Sequence, residues 1–169
     1  MILYFHNISE NDWFILICNL VAYAAAFRLR RAFPTSLVLL IGLFGLSLAK
    51  GADHTLGVDP LDFYDTNEIP VFDVTDLFTW FLYPVAGYLF VYAYYRLRVS
   101  GLAVPAFVLL SSGLAVGFEL LCVKFHVFKY KDWTPAYSFA VYVIAQTATI
   151  GFFELVKHWH LTLRRRERF

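Results

Sequence analysis

Five stretches of roughly 15 to 21 residues carry no charge, and the charged residues gather in the segments between them. A bilayer core of about 30 Å takes roughly 20 residues of helix. The stretches therefore predict membrane spans at 12–27, 33–49, 76–95, 102–123 and 134–157. The first two are short and must recruit flanking residues or thin the bilayer locally. Helices are required, because unpaired backbone groups are too costly in hydrocarbon and the strict alternation of a barrel strand is absent. The pattern predicts an all-α, polytopic bundle of five transmembrane helices forming one domain over 1–169.

Basic residues set its orientation. Arg28, Arg30 and Arg31 follow the first span, Arg96 and Arg98 the third, and Lys157, Arg164, Arg165, Arg166 and Arg168 the fifth. Ten of the fourteen Lys and Arg thus fall on one side, which by the positive-inside rule is the cytoplasm. The N-terminus is then outside and the C-terminus inside, in a multi-pass protein of the cell membrane. No basic segment precedes the first apolar run, so that span is expected to be retained. The segment 50–74, KGADHTLGVDPLDFYDTNEIPVFDV, becomes an acidic extracytoplasmic loop.

Composition agrees with a lipid solvent. Hydrophobic residues make up 60% of the chain and charged residues 16%, against about 45–50% hydrophobic in a soluble globule. The net charge of +1 selects no partner. Trp13, Trp80, Trp133 and Trp159 lie near span ends, as an interfacial belt requires. Gly113-x-x-x-Gly117, Ala22-x-x-x-Ala26 and Thr147-x-x-x-Gly151 are small-residue patterns of close helix packing, within the bundle or in a homo-oligomer. Cys18 and Cys122 sit in apolar segments without CxxC spacing and read as small apolar fillers.

Polar positions inside the spans carry the functional signal. At three- and four-residue steps, Asp73, Asp76, Trp80, Tyr83 and Gly87 share a stripe on span three. Ser112, Ala115, Glu119, Cys122 and His126 do so on span four, and Ser138, Tyr142, Gln146 and Thr149 on span five. Polar stripes avoid lipid, so they should meet in a seam, to which Asn19 and Tyr23 of span one add. Glu119 is the most informative residue: an intramembrane acid needs a partner or a proton. A pair with Lys124 or His126 is the structural alternative. Asp73 and Asp76 open span three, where the helix dipole and capping also welcome acids. Glu154 has Lys157 and His158 one turn on, so a local ion pair explains it. His158 and His160 flank Trp159 as interface anchors, and the run 164–166 suits anionic lipid.

The outer loop adds Asp53, His54, Asp59, Asp62, Asp65 and Glu68, without the spacing of an EF-hand. It reads as a solvated acidic surface, and no metal site is expected. No Walker loop, dinucleotide fingerprint, nucleophile elbow or HExxH occurs, so no cofactor is expected. Nucleic acid is excluded by the absence of a basic soluble surface. Membrane lipids and a lipophilic small molecule remain as partners.

From Ala52 to His158 the chain resembles a family of small five-helix membrane proteins of spore-forming bacteria. The shared features are an aspartate after span two, Ile69-Pro70 before span three, Glu119, Tyr130-x-x-Trp133, and Tyr137-Ser138-Phe139 with Tyr142. This implies a bacterial plasma membrane and supports the topology, but brings no activity. More distantly, Ile69-Pro70-Val71-Phe72-Asp73-Val74-Thr75-Asp76-Leu77-Phe78 resembles the lycopene-cyclase-type membrane domain. That resemblance implies acid-initiated cyclisation of an isoprenoid, with Asp73 and Asp76 near the place of an adjacent Glu-Glu pair.

Three functions follow. In the first, Asp76, Glu119 and Asp73 act as acids in a cavity lined by Trp80, Tyr83, Tyr142, Gln146, Asp53 and His54. That cavity binds or transforms a lipophilic molecule, with aromatic faces steadying positive charge. In the second, the same seam conducts protons or cations, with Asp53 and His54 at its mouth. In the third, the chain is a non-catalytic sensor or assembly partner.

Overall fold

The computed structural model describes residues 10–66 and 74–166, with 66, 74–76 and 161–166 described by their backbone only. Its described residues form five long helices, α1 (Glu10–Arg28), α2 (Thr35–Leu56), α3 (Val74–Arg96), α4 (Ala103–Lys124) and α5 (Pro135–Arg166). Two three-residue strands, β1 (Tyr64–Thr66) and β2 (Phe128–Tyr130), complete the fold.

Side-chain contacts give the helix directions. Asn19 and Tyr23 of α1 reach the carbonyls of Phe78 and Phe81, so α1 and α3 run parallel. Asn19 and Tyr23 thereby join α1 to α3. Gly42 and Gly45 of α2 pack on Pro84 and Gly87, while Lys50, further along α2, lies over Trp80, so α2 opposes α3. Phe44 stacks on Phe152 at 4.2 Å, tying α2 to α5. Ser112 of α4 meets Gln146 of α5, and Glu119 meets Ser138, so these two helices are antiparallel.

Among the described residues, four helical stretches are long and apolar enough to cross a membrane: Thr35–Leu56, Leu77–Arg96, Ala103–Lys124 and Pro135–His160. Their surfaces face outward in the manner of lipid-exposed helices. Leu110, Leu114 and Ile144 are 68%, 69% and 70% exposed, an unfavourable arrangement in water. α1 is more polar, with Glu10 and Asp12 in its first turn and buried Asn11, Asp12 and Asn19.

Helix bounds differ from the expected spans mainly in α2 and α5. Lys50 was expected to begin the outer loop, yet α2 continues to Leu56. Lys50 stays helical because its ammonium is satisfied, 3.1 Å from Asp53 and 5.5 Å from the centre of the Trp80 ring. The expected loop of 50–74 therefore begins with two helical turns. α5 runs on to Arg166, beyond the expected end at 157.

Two ends result. At one, Phe33 packs on Tyr95 and Phe153, and the Lys157 ammonium lies 5.6 Å from the Tyr95 ring. Arg28 and Arg96 close their helices there. Lys157 also meets Glu154 at 3.1 Å. The buried apolar core, including Leu37, Ile41, Val91, Val108, Ile150 and Phe153, fills the adjacent half of the bundle. At the other end β1 and β2 form an antiparallel ribbon, with Tyr64 opposite Tyr130. α4 is turned into β2 by His126, in the left-handed region at φ 57°. The Val127 N–H returns to the Cys122 carbonyl there, a helix-ending motif.

Candidate functional site

Beneath the ribbon lies a cavity of about 110 Å³. α2 contributes Ala49, Ala52, Asp53 and Leu56, α3 contributes Tyr83, and α4 contributes Glu119. The ribbon adds Tyr64, Phe128 and Tyr130, and the entry to α5 adds Trp133, Ser138, Val141 and Tyr142. Four helices and both strands thus converge on one space that holds two carboxylates and a largely aromatic wall.

Glu119 is 8% exposed and accepts three hydroxyl hydrogen bonds. Tyr130 and Ser138 donate to its Oε1, and Tyr142 donates to Oε2 at 2.5 Å. Ser138 in turn accepts the indole N–H of Trp133 at 2.7 Å. The spacing explains the assembly. Ser138 and Tyr142 stand one turn apart on α5, and Tyr130 is delivered by β2. Asp53 forms the second centre. Its carboxylate takes Lys50 at 3.1 Å, the Tyr64 hydroxyl at 3.2 Å and the Tyr83 hydroxyl at 3.5 Å.

The ribbon closes this space through aromatic contacts. Trp133 meets Phe63, Tyr64 and Tyr137 at 5.7, 5.5 and 5.5 Å between ring centres. Gly57 is needed where β1 crosses the end of α2, because a Cβ there would stand 3.1 Å from the Tyr64 carbonyl. Lys131 anchors the ribbon to Asp62 at 2.7 Å and to Asp65 at 2.8 Å. These hydrogen bonds, with Asp62 the larger influence, raise the ammonium above the usual lysine range. Burial, and then the neighbouring Asp53, push the Tyr64 hydroxyl above the usual tyrosine range. Burial followed by the Glu119 hydrogen bond does the same for Tyr130.

The expected site residues divide into groups. Glu119, Asp53, Tyr83 and Tyr142 all line the cavity. Gln146 lies one turn deeper, where Ser111 and Ser112 donate to its Oε1. Trp80 borders Lys50, whose ammonium also meets Asp53, and does not line the cavity itself. His54 is exposed beside the cavity. Asp73 lies outside the described residues, with Ile69 to Phe72 of the cyclase-like segment, and Asp76 is described only as part of the first turn of α3. Glu119 is not paired with Lys124 or His126; hydroxyls hold it instead. Among the described residues, no three His, Cys, Asp or Glu side chains converge as a metal site would require.

Several residues of the site were not expected there from sequence. Tyr130 and Trp133 were noted only within a resemblance and an interfacial belt, Lys50 only as the start of the outer loop, and Tyr64 only within that loop. Their signal was the clustering of Tyr64, Tyr130 and Trp133 in polar segments, where an aromatic gains nothing from lipid.

Below Gln146 the polar line stops. Thr149 bonds the carbonyl of Ala145 in its own helix at 2.8 Å, and the buried side chains of Val108, Ile150 and Phe153 follow. Comparisons with family models, with curated proteins and with solved structures each find no match to this chain.

Proposed function

We propose that the chain crosses the membrane five times, with the ribbon end outside, and binds one end of a lipophilic molecule in the cavity beneath the ribbon. The observation carrying this reading is the meeting of Asp53 and Glu119 in one aromatic-walled space. An acid that deep in a bundle is costly unless it serves a site. The basic residues Arg28, Arg30, Arg31, Arg96 and Arg98 at the opposite end support the same orientation. With the N-terminus outside, a fluorescent protein fused after Phe169 will fluoresce, and an alkaline phosphatase fused there will be inactive. The reverse pair of results overturns the topology.

Size supports binding over whole-molecule chemistry. The volume of about 110 Å³ is roughly a third of the smallest cavities, about 300 Å³, that take a drug-sized ligand. An end group fits; a folded isoprenoid does not. The apolar core between Gln146 and Lys157 likewise favours binding over conduction. Ala52 supplies the test, since it lines the cavity without using a polar group. Ala52→Phe fills the space and is expected to weaken retention of a co-purified or added lipid at least about tenfold, or about 1.4 kcal/mol. Native mass spectrometry of the detergent-solubilised protein measures this. Equal retention by both proteins would sink the reading.

A further inference from the structure

We infer that the group entering the cavity is an ammonium that carries an N–H, so that the lipophilic molecule is an amine-bearing amphiphile; this rests on the binding reading above. Formal charge is the first argument. Asp53 is matched by Lys50 at 3.1 Å, whereas among the described residues Glu119 meets only hydroxyls. Among the described residues, one of the site's two acids thus has a cation beside it and the other has none. A phosphate, sulfate or carboxylate group would be repelled by both acids.

Hydrogen-bond valence narrows the choice. A carboxylate offers about four acceptor positions, and Glu119 fills three, two on Oε1 and one on Oε2. An N–H of an entering ammonium would complete Oε2. A quaternary ammonium has no such proton, and an alkyl end would leave that position without a partner from the ligand.

The surrounding rings match the same chemistry. Tyr83, Tyr130, Trp133 and Tyr142 border the cavity, and aromatic faces attract cations within about 6 Å. Among the described residues the chain already uses this device at Lys157, against Glu154 and the Tyr95 and Phe153 rings, and at Lys50. The Lys50 ammonium sits against Asp53, 5.5 Å from the Trp80 ring and 6.0 Å from the Tyr83 ring. Glu119 shares its cavity with the Tyr83, Tyr130, Trp133 and Tyr142 side chains and, among the described residues, meets no ammonium of the chain. Ala52, Leu56 and Val141 supply apolar wall for the first carbons of a stem.

Full-length protein in nonionic detergent is titrated with butylammonium, butanol and butyrate at equal ionic strength, following thermal unfolding. Butylammonium should bind about tenfold more tightly than butanol, a difference of the size that one carboxylate and an aromatic wall supply, and butyrate should not bind. Glu119→Gln should bring butylammonium and butanol to equal affinity. This comparison needs no variant to fold, because the three probes already separate charge from apolarity on the wild-type protein. Native mass spectrometry with ethanolamine, choline and glycerol headgroup lipids then identifies the source. Preferential retention of the ethanolamine lipid makes the occupant a membrane lipid; protection by free amine alone makes it a soluble amine. The first result supports the inference whole; the second supports the ammonium and overturns the lipophilic reading. Equal binding of butanol and butylammonium overturns the ammonium while leaving the lipophilic reading in place. If no probe and no lipid binds, both readings fall.

Discussion

Replacing Glu119 with alanine should destabilise the protein by about 3 kcal/mol and release the ribbon from the helices. Hydrogen bonds to a charged group contribute about 1.5–3 kcal/mol each, and Tyr130, Ser138 and Tyr142 all donate to this one carboxylate. Desolvating the acid offsets part of their sum, which leaves an intermediate net value. The alanine variant strands three hydroxyl donors, one of which also organises Trp133. Glu119→Gln keeps an acceptor and should lose only about 1 kcal/mol. For a chain of this size the alanine variant should unfold roughly 6–12 °C lower, as measured in detergent micelles. Hydrogen exchange should rise first at 128–130, because Tyr130 is the strand's own link to α4. An alanine variant as stable as wild type would show that the hydroxyls merely tolerate the acid.

The site's elements were legible to different extents, and the reason is locality. Helix positions follow from gaps between charges, so α1, α3 and α4 begin and end within two residues of the expected spans. Lys50 broke that rule because a charge ends a span only when it must reach water. Here Asp53 and two rings receive it inside the fold. The facing of Glu119 with Ser138 and Tyr142 was readable, since three- and four-residue steps put each stripe on one helix face. The second acid was not readable in the same way. Asp76 was expected beside Glu119 from its helix stripe and Asp53 from the acidic loop; among the described side chains the acid sharing the cavity with Glu119 is Asp53. That meeting depends on α2 continuing past Lys50 and on the ribbon folding back across the bundle end. Strands as short as Tyr64–Thr66 and Phe128–Tyr130 carry no periodic signal, and their pairing joins segments over sixty residues apart in sequence. The small-residue patterns divide similarly. Gly42, Gly45 and Gly87 sit in a tight helix contact that was not singled out, whereas a Cβ at Gly113, Gly117 or Gly151 would meet nothing within 4 Å.

Gly87→Leu should cost about 3 kcal/mol and weaken ligand binding at least about tenfold, although Gly87 does not line the cavity. A Cβ at this position would stand 3.7 Å from the Cα of Gly45 and 3.7 Å from the carbonyl of Ile41. Ordinary contact of that kind accommodates a methyl group, so Gly87→Ala should be neutral or slightly stabilising through its higher helix propensity. Atoms beyond Cβ have nowhere to go except into the backbone of α2. The two helices must then separate, and backbone yields less readily than a side-chain tip. Tyr83 lies one turn before Gly87 on α3, and its hydroxyl reaches Asp53 across this same interface at 3.5 Å. Separating α2 from α3 breaks that link and opens the aromatic wall between the two carboxylates. Thermal unfolding and retention of lipid by native mass spectrometry should therefore fall together in the leucine variant and stay near wild type in the alanine variant. A leucine variant that loses stability but keeps full retention would uncouple the helix contact from the cavity.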